Sequence, residues 1–511
     1  MALKGRGRAR VERVLGPARE IRSVLEGLLV EKGLRNSFEP FELPAPSLEG
    51  RADLRELATF TIDPETAKDF DDAISVRTED GGIHAWVHIA DVSWFVPAGS
   101  PLDRGAAQRA NSVYVPGLVA PMLPHELADD ACSLRPYVDR LCVTVEMPPR
   151  GEASFYRSVI RSDERFTYGQ VERILRGKEQ HELADELRLA ERLATELRRR
   201  RFERGALRVE SKEITFVFDE GGVERAYWET EAHAHMLVEE LMILANEHVA
   251  ALLAGRNREA LYRVHEQPEP QSIQLLLAKL ADLGVPTPPA PEAESMSPFD
   301  AARVAAETSE RVTEFVEQSG RGAEAFPPLV LRALKQARYD PRNLGHSGLA
   351  SSAYCHFTSP IRRYPDLVCH RTLLREIGQG DDPTPDDLPE LAEHTSLTER
   401  EAAQIEWRAD EICLAWLLEA ELFERGWDEP FGGEIIGVIP SGLFVRFGEV
   451  YEGYVPARRL PGDYFQLNEL GTALVGRRSG RPYRLGDELE VVVEDIRRSE
   501  GKVELRLAKP S

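Results

Sequence analysis

Four aspartates, Asp63, Asp69, Asp71 and Asp72, fall within the segment Thr61-Ile-Asp-Pro-Glu-Thr-Ala-Lys-Asp-Phe-Asp-Asp-Ala-Ile74. Carboxylates crowded in this way repel one another, and a divalent cation is the natural way to offset the repulsion. An all-oxygen donor set suits Mg²⁺ or Mn²⁺ better than zinc. The segment lacks the Gly at the sixth position and the Glu at the twelfth that an EF-hand loop needs, which sets a calcium loop aside. In an extended chain Asp69 and Asp71 point one way and Asp72 the other, so either the loop is irregular or Asp72 has a different task. An acidic loop taken alone is more often a solvated turn, and the rest of the chain has to decide between the two.

A second cluster combines Gly345-His-Ser-Gly-Leu349 with Tyr354-Cys-His-Phe-Thr-Ser-Pro-Ile-Arg-Arg-Tyr-Pro-Asp366. Pro365 and Asp366 open an apolar-periodic helix through Leu367, Val368 and Leu374, which places Arg362 and Arg363 just ahead of a helix N-terminus. Backbone amides and fixed cations there favour an anion such as phosphate. A structural ion pair is the competing reading of either arginine.

These residues need elements to position them. Ala58–Asp63, Ala73–Arg77, a turn at Gly81-Gly82 and Ile83–Asp91 read as a β-meander with the acidic loop at a strand junction. Strands at Leu141–Met147 and Ile214–Phe218 precede mostly helical sequence from Ala232 to about Leu422, interrupted by the Pro-rich stretch Pro286–Pro298. Ahead of this lies a helical pattern on Ile21, Leu25, Leu28 and Leu29, read as either a solvated helix or a helix-turn-helix-like nucleic-acid module.

After Gly426 the texture changes to short strands, Phe431–Ile439, Gly442–Phe447, Glu452–Pro456, Glu488–Ile496 and Lys502–Leu507, which suggest a small five-stranded barrel. Alternation puts Phe444 and Arg446 on one face and Leu443, Val445 and Phe447 on the other. Phe444 and Tyr454 are therefore expected at the surface, where nucleic-acid bases can stack on them, and Phe447 in the core. The expected class is α+β: a helical appendage over 1–48, a large mixed catalytic domain over 49–426 and the barrel over 427–511.

With 511 residues, 42% hydrophobic and 30% charged, the chain can bury a sizeable core. Its net charge of −23 argues against a polyanion held on a uniformly basic face. The positive charge is clustered, however, at Lys4, Arg6, Arg8 and Arg10, at Arg198–Arg201 and at Arg362-Arg363, as an acidic exterior with a basic channel would require. Cys132, Cys142, Cys355, Cys369 and Cys413 lack any C-x-x-C spacing, so buried thiols are expected rather than a disulfide framework or structural zinc. No apolar run approaches the roughly 18–20 residues of a membrane span, and no signal-like stretch follows the basic start, so the expected location is cytoplasmic; a monomer is expected.

The run Gly433-Glu-Ile-Ile-Gly-Val-Ile-Pro-Ser-Gly-Leu-Phe-Val-Arg-Phe447, with Glu452-Gly-Tyr-Val-Pro456, resembles the OB-fold RNA-binding domain. The acidic loop, Tyr114-Val-Pro-Gly117, Pro121-Met-Leu-Pro124, Ser133-Leu-Arg135 and Thr358-Ser-Pro-Ile-Arg-Arg-Tyr-Pro-Asp366 together resemble the ribonuclease II and ribonuclease R family, from about Leu54 to the C-terminus. That resemblance implies a processive 3′-to-5′ hydrolytic exoribonuclease that degrades single-stranded RNA to nucleoside 5′-monophosphates and leaves a short oligonucleotide. It also implies metal-binding and catalytic roles for Asp63, Asp69, Asp71 and Asp72, phosphate activation by Arg362 with Arg363 as the fallback, and base stacking by Tyr114. Glu239 or Glu240 would lie near the 3′-terminal nucleotides. Two features depart from the pattern: only about 50 residues precede the catalytic region, where paired cold-shock domains normally stand, and a second stacking aromatic would fall near Val209. Paired-carboxylate glycoside hydrolysis leaves the arginines and the barrel unexplained, and an RNA-binding protein without catalysis leaves four aspartates without a task.

Overall fold

The computed structural model describes residues 2–4, 8–11, 13–34, 36–208, 214–219, 222–229 and 232–508. Its centre is a seven-stranded sheet in the order Glu164–Thr167, Phe60–Asp63, Asp72–Glu79, Gly82–Ala90, Asp139–Met147, Ser154–Arg161 and Ala52–Asp53. The two outermost pairings are parallel and the rest antiparallel. Asp80 and Gly81 both have positive φ, 49° and 75°, which gives the tight turn between the two central strands the twist that a hairpin needs.

Helices cover both faces of the sheet. Phe60, Ile62, Ile74 and Val87 pack against Leu187 and Ala190 of helix Ala184–Glu203 and Leu237 and Leu241 of helix Ala232–Gly255. On the other face Ala73, Ala90 and Leu141 pack with Leu102 and Ala106 of helix Pro101–Arg109 and with Leu367 and Val368 of helix Tyr364–Glu376. This two-sided burial is why Gly82–Ala90 is buried from His84 onward instead of alternating inside and out. A buried polar chain crosses the sheet from Thr59 through Ser75, His88 and Thr144 to Ser158, with each link at 3.0 Å or less, so no hydroxyl in it is left unsatisfied.

Helix Ile21–Glu31 presents the expected apolar stripe, with Ile21, Leu25, Leu28 and Leu29 all buried. The stripe packs on Ile405, Ala409 and Ile412 of the helix Leu388–Arg425 and on Val113 and Val115, so it is not a free solvated helix. Among the described residues ahead of Ala52 it is also the single helix. Residues 2–4 and 8–10 pair as a small antiparallel ladder, and Arg6 lies outside the described residues.

The helix Leu388–Arg425 has 38 residues, about 57 Å at 1.5 Å per residue, and runs from the large domain to the barrel. Phe431–Ile439, Gly442–Phe447, Tyr451–Pro456, Lys502–Leu507 and Glu488–Arg497 close the barrel. Its core is continuous with Leu418 and Leu422 of that helix and with Phe326, so the barrel is docked rather than tethered. Between its third and fourth strands lies a three-stranded sheet, Phe465–Leu467, Ala473–Gly476 and Pro482–Arg484, which the sequence pattern did not disclose. The five cysteines are free and buried. Among the described residues no helix is long and apolar enough to cross a membrane.

Candidate active site

Asp63 is the last residue of its strand and Asp72 the first of the next, so the sheet itself brings the two ends of the acidic loop together. Ser133 pins the loop between them: its hydroxyl donates to the Lys68 carbonyl at 2.6 Å and accepts from the Phe70 amide at 3.1 Å. The Leu134 and Ala90 amides donate to the carbonyls of Phe70 and Asp71, both at 2.9 Å. Ser133 and Leu134 of the Ser133-Leu-Arg135 motif thus hold the backbone of the loop that carries Asp69 and Asp71.

Asp71 is 4% exposed. One of its oxygens accepts the Ile361 amide at 2.8 Å and the other lies 3.5 Å from Arg362 Nε, which joins the acidic loop to the arginine segment 290 residues away. The Ser112 amide donates to the Arg362 carbonyl at 2.9 Å and keeps that segment beside the Tyr114 hairpin. Asp69 accepts the Tyr114 hydroxyl at 2.6 Å. Asp63 carries a buried oxygen, Oδ2, without a hydrogen-bond partner.

Burial has an electrostatic consequence. Asp63 is pushed up to about 8, first by loss of solvent and then by the charge of Asp72. Asp72 rises to about 6 through burial, with Arg362 and Arg363 opposing the rise. Asp71 is held well above the usual carboxylate range by burial, against the pull of Arg362. The site therefore contains more carboxylate than its cations compensate. Among the described residues no group of three or more His, Cys, Asp or Glu side chains stands close enough to hold an ion as placed. The fit to a divalent cation rests on the oxygen-only donors, the mutual repulsion among them and the unpartnered Asp63 oxygen.

The two arginines separate cleanly. Helix Tyr364–Glu376 begins directly after Arg363, as its apolar period predicts. Arg363 donates twice to Asp366, at 2.9 and 2.8 Å, while the Asp366 carboxylate also accepts the Ser359 amide at 2.7 Å. Arg362 touches Asp71 and Ser359 Oγ, and its side chain is 47% exposed. Arg201 of the neighbouring helix bonds both glutamates: the buried Glu240 lies 3.1 and 3.2 Å from its Nε, and Glu239, whose side chain is 51% exposed, lies 3.2 Å from its Nη2. No hydrogen bond joins either glutamate to the four aspartates among the described residues. Val209 lies outside the described residues.

Tyr114 stands between the buried Val113 and Val115 with its ring on the opposite side. Its amide donates to Glu406 of the 38-residue helix at 2.8 Å. Nothing in the sequence around Glu406, one acid among many in a charged helix, marks it as part of this site. Arg165 was equally silent: its guanidinium bonds the Pro64 carbonyl and lies 5.4 Å from the Phe70 ring centre, bracing the loop from the edge strand. Across the barrel face Phe444 and Tyr454 sit opposite each other, half-buried with ring centres 5.2 Å apart, while Phe447 is in the core.

A mixed α+β domain with a carboxylate-rich, arginine-flanked site, carrying an OB-type barrel, defines the class. The RNB domain matches residues 51–378 and the S1 RNA binding domain matches residues 428–507, and the chain belongs to the RNB family. It is 38% identical to ribonuclease R of Escherichia coli over 493 residues, which is 91% of this chain and 58% of that protein. It is 35% identical to ribonuclease R of Aquifex aeolicus over 533 residues, 99% of this chain and 73% of that one. The chain thus spans little more than half the length of the Escherichia coli relative. The structure of Mycoplasma genitalium RNase R in complex with ribose-methylated single-stranded RNA superposes with a TM-score of 0.87 at 28% identity, covering 97% of this chain and 79% of that one.

Proposed function

We propose that the chain is a 3′-to-5′ exoribonuclease that hydrolyses single-stranded RNA processively to nucleoside 5′-monophosphates and leaves a short residual oligonucleotide. One observation carries the reading: segments 290 residues apart meet so that Asp71 lies against the Ile361 amide and Arg362, in a family whose solved relative is described with RNA bound.

Asp63, Asp69, Asp71 and Asp72 are the residues that would hold Mg²⁺, with Mn²⁺ as the alternative; the bound metal supplies an activated water and charge compensation at the leaving oxygen. Arg362, exposed on one side, offsets charge on the non-bridging oxygens of the scissile phosphate, and Arg363 serves by keeping Asp366 and the helix start in place. Tyr114 orients Asp69 through its hydroxyl and offers its ring to the terminal bases. Glu239, half exposed although it shares Arg201 with the buried Glu240, is the better of the two glutamates for a contact with the 3′ end. Phe444 and Tyr454 stack on bases further along the strand, and the ribose 2′-OH lets the site tell RNA from DNA. The functional division is a helical appendage over 1–48, a catalytic domain over 49–426 and an RNA-binding barrel over 427–511, in a monomeric cytoplasmic protein.

The test uses 5′-labelled linear RNA and a circular RNA of the same sequence. The expected outcome is stepwise shortening of the linear RNA to a short product, an intact circle, mononucleotides with 5′-phosphates, and arrest by EDTA. Internal cuts in the circle would refute the exonuclease assignment, and a linear RNA bound but untouched would leave an RNA-binding protein.

A further inference from the structure

Arg477, Arg478, Arg481 and Arg484 fall within eight consecutive residues of a chain whose net charge is −23. All four are exposed, and among the described residues none of them pairs with a carboxylate. Their neighbours on the same domain are paired: Arg459 with Glu494 and Glu504, Arg497 with Glu500, Arg498 with Glu419, and Arg506 with Asp428.

The four arginines belong to the hairpin Ala473–Gly476 and Pro482–Arg484 of the sheet inserted between the third and fourth barrel strands. Asp463 shapes its turn by accepting the Arg478 amide at 2.9 Å, the Ser479 amide at 2.7 Å and the Ser479 hydroxyl at 2.8 Å. Asp463 is therefore satisfied by backbone and hydroxyl groups, and Asp487 accepts the Arg484 amide at 3.1 Å and pairs with Arg321, so neither acid beside the hairpin holds one of its guanidinium groups. A Cβ at position 476 would lie 2.4 Å from Ser479 Oγ and 2.6 Å from Asp463 Oδ2, so a side chain there would displace the groups that shape the turn. Below the turn Phe465, Leu474, Tyr483 and Leu485 enter the barrel core, and Asn468 and Thr472 bond Asp282 at the end of helix Pro270–Asp282. The insert is anchored on two sides and presents its arginines on a fixed frame.

Aromatic rings are interleaved with this charge. Arg477 lies over the Tyr464 ring at 5.1 Å, with Tyr464 68% exposed, and Arg481 lies over Tyr483 at 5.5 Å. Guanidinium forks match phosphate oxygens, and their planes stack on bases and rings. OB barrels bind nucleic acid through the face of strands two and three and the loops after strands one and four. The insert follows strand three, so it is a surface apart from Phe444 and Tyr454. Phe465, Leu474, Tyr483 and Leu485 point into the barrel core and the exposed Tyr464 ring is covered by Arg477, so the turn presents charge rather than an apolar wedge for a lipid surface.

We propose that the arginine hairpin 477–484 is a second, sequence-independent contact for RNA, gripping the phosphate backbone of a chain whose bases stack elsewhere. The inference rests on the reading of RNA as substrate. On a chain this acidic, phosphate contacts work only where positive charge is local and unpaired, and this turn meets that condition.

The test compares the wild-type chain with a variant carrying Arg477→Gln, Arg478→Gln, Arg481→Gln and Arg484→Gln, by fluorescence anisotropy on a labelled long oligouridylate across a salt series. The slope of log affinity against log salt should fall by about 3, near 0.7 for each lost phosphate contact, with affinity weakened roughly tenfold or more at low salt. Turnover of RNA below about six nucleotides should stay unchanged, because such a chain cannot occupy both the metal cleft and the barrel domain. Replacing the same four residues by lysine should keep the slope, and Phe444→Ala should weaken binding without changing it. If the wild type binds RNA and the glutamine variant keeps its affinity and slope, the hairpin assignment is overturned and the RNA reading survives. If the wild type neither binds nor cuts RNA, both fall. A hairpin-dependent affinity for polyglutamate or anionic lipid vesicles equal to that for RNA overturns the choice of partner.

Discussion

At the acidic loop, Asp71 is 4% exposed, Asp63 holds a buried oxygen without a partner, and both feel the charges of Asp69 and Asp72. On the barrel, Phe444 and Tyr454 are half-buried and Arg477 to Arg484 lie in water. The first region works by stripping water from like charges, so each group there controls several others and the removal of one is felt by all. The second works by many weak, screened and nearly independent contacts, each worth little alone. On the proposed reading, a site that performs chemistry needs the first arrangement, and a surface that lets a polymer slide needs the second.

The sharpest test of this contrast is Asp71→Asn. Cleavage should fall by roughly a thousandfold or more, the scale of losing a charge-stabilising group from a preorganised site, while affinity for long RNA stays within a few-fold because the barrel is untouched. Turnover near wild type would show that Asp71 is structural.

The next effect is on stability. Asp63 and Asp72, at about 8 and about 6 in the fold, lie above their value of 3.8 in an unfolded chain. Between about pH 4 and pH 8 the metal-free folded protein therefore binds more protons than the unfolded chain, and its stability falls as pH rises through that window. With EDTA present, Asp63→Asn should melt above the wild type at pH 8 by up to a few kcal/mol, since each tenfold gain in proton affinity on folding corresponds to roughly 1.4 kcal/mol. The difference should shrink toward pH 4. A gap that widens on acidification would contradict the burial argument.

On the barrel, Phe444→Ala with Tyr454→Ala should cost long-RNA binding roughly 1–3 kcal/mol per ring and leave short-substrate turnover intact. Equal losses on short and long RNA would mean that these rings act near the cut.

The smallest change is in a product length. Tyr114→Ala should release the residual oligonucleotide while it is a few nucleotides longer, since about 1–3 kcal/mol of stacking is most of what holds a nearly consumed chain. A well-folded variant with an unchanged end product would remove Tyr114 from the stacking role.

Local pattern made much of this molecule legible. The alternation in Gly442–Phe447 correctly sorted Phe444 from Phe447 because a strand has only two faces, and Pro365 marked the helix start because proline suits a first turn. The spacing of Ile21, Leu25, Leu28 and Leu29 identified a buried stripe, although not what would bury it. The inserted sheet was missed because its strands, at three or four residues each, are too short to show a period.

The sequence by itself determined which groups the chain has for chemistry: four crowded aspartates, two arginines before a helix, and rings on one face of a barrel strand. Only the tertiary structure decided which of them are free to act. Arg362 keeps an exposed side whereas Arg363 is taken, because Asp366 folds back on one of them; Glu240 is buried and Glu239 half exposed, because a separate helix brings Arg201 alongside both. Glu406 reaches Tyr114 across 292 residues of chain. The reason is physical: the type and period of residues are local properties of the chain, whereas burial and pairing are set by whichever distant segment packs against them.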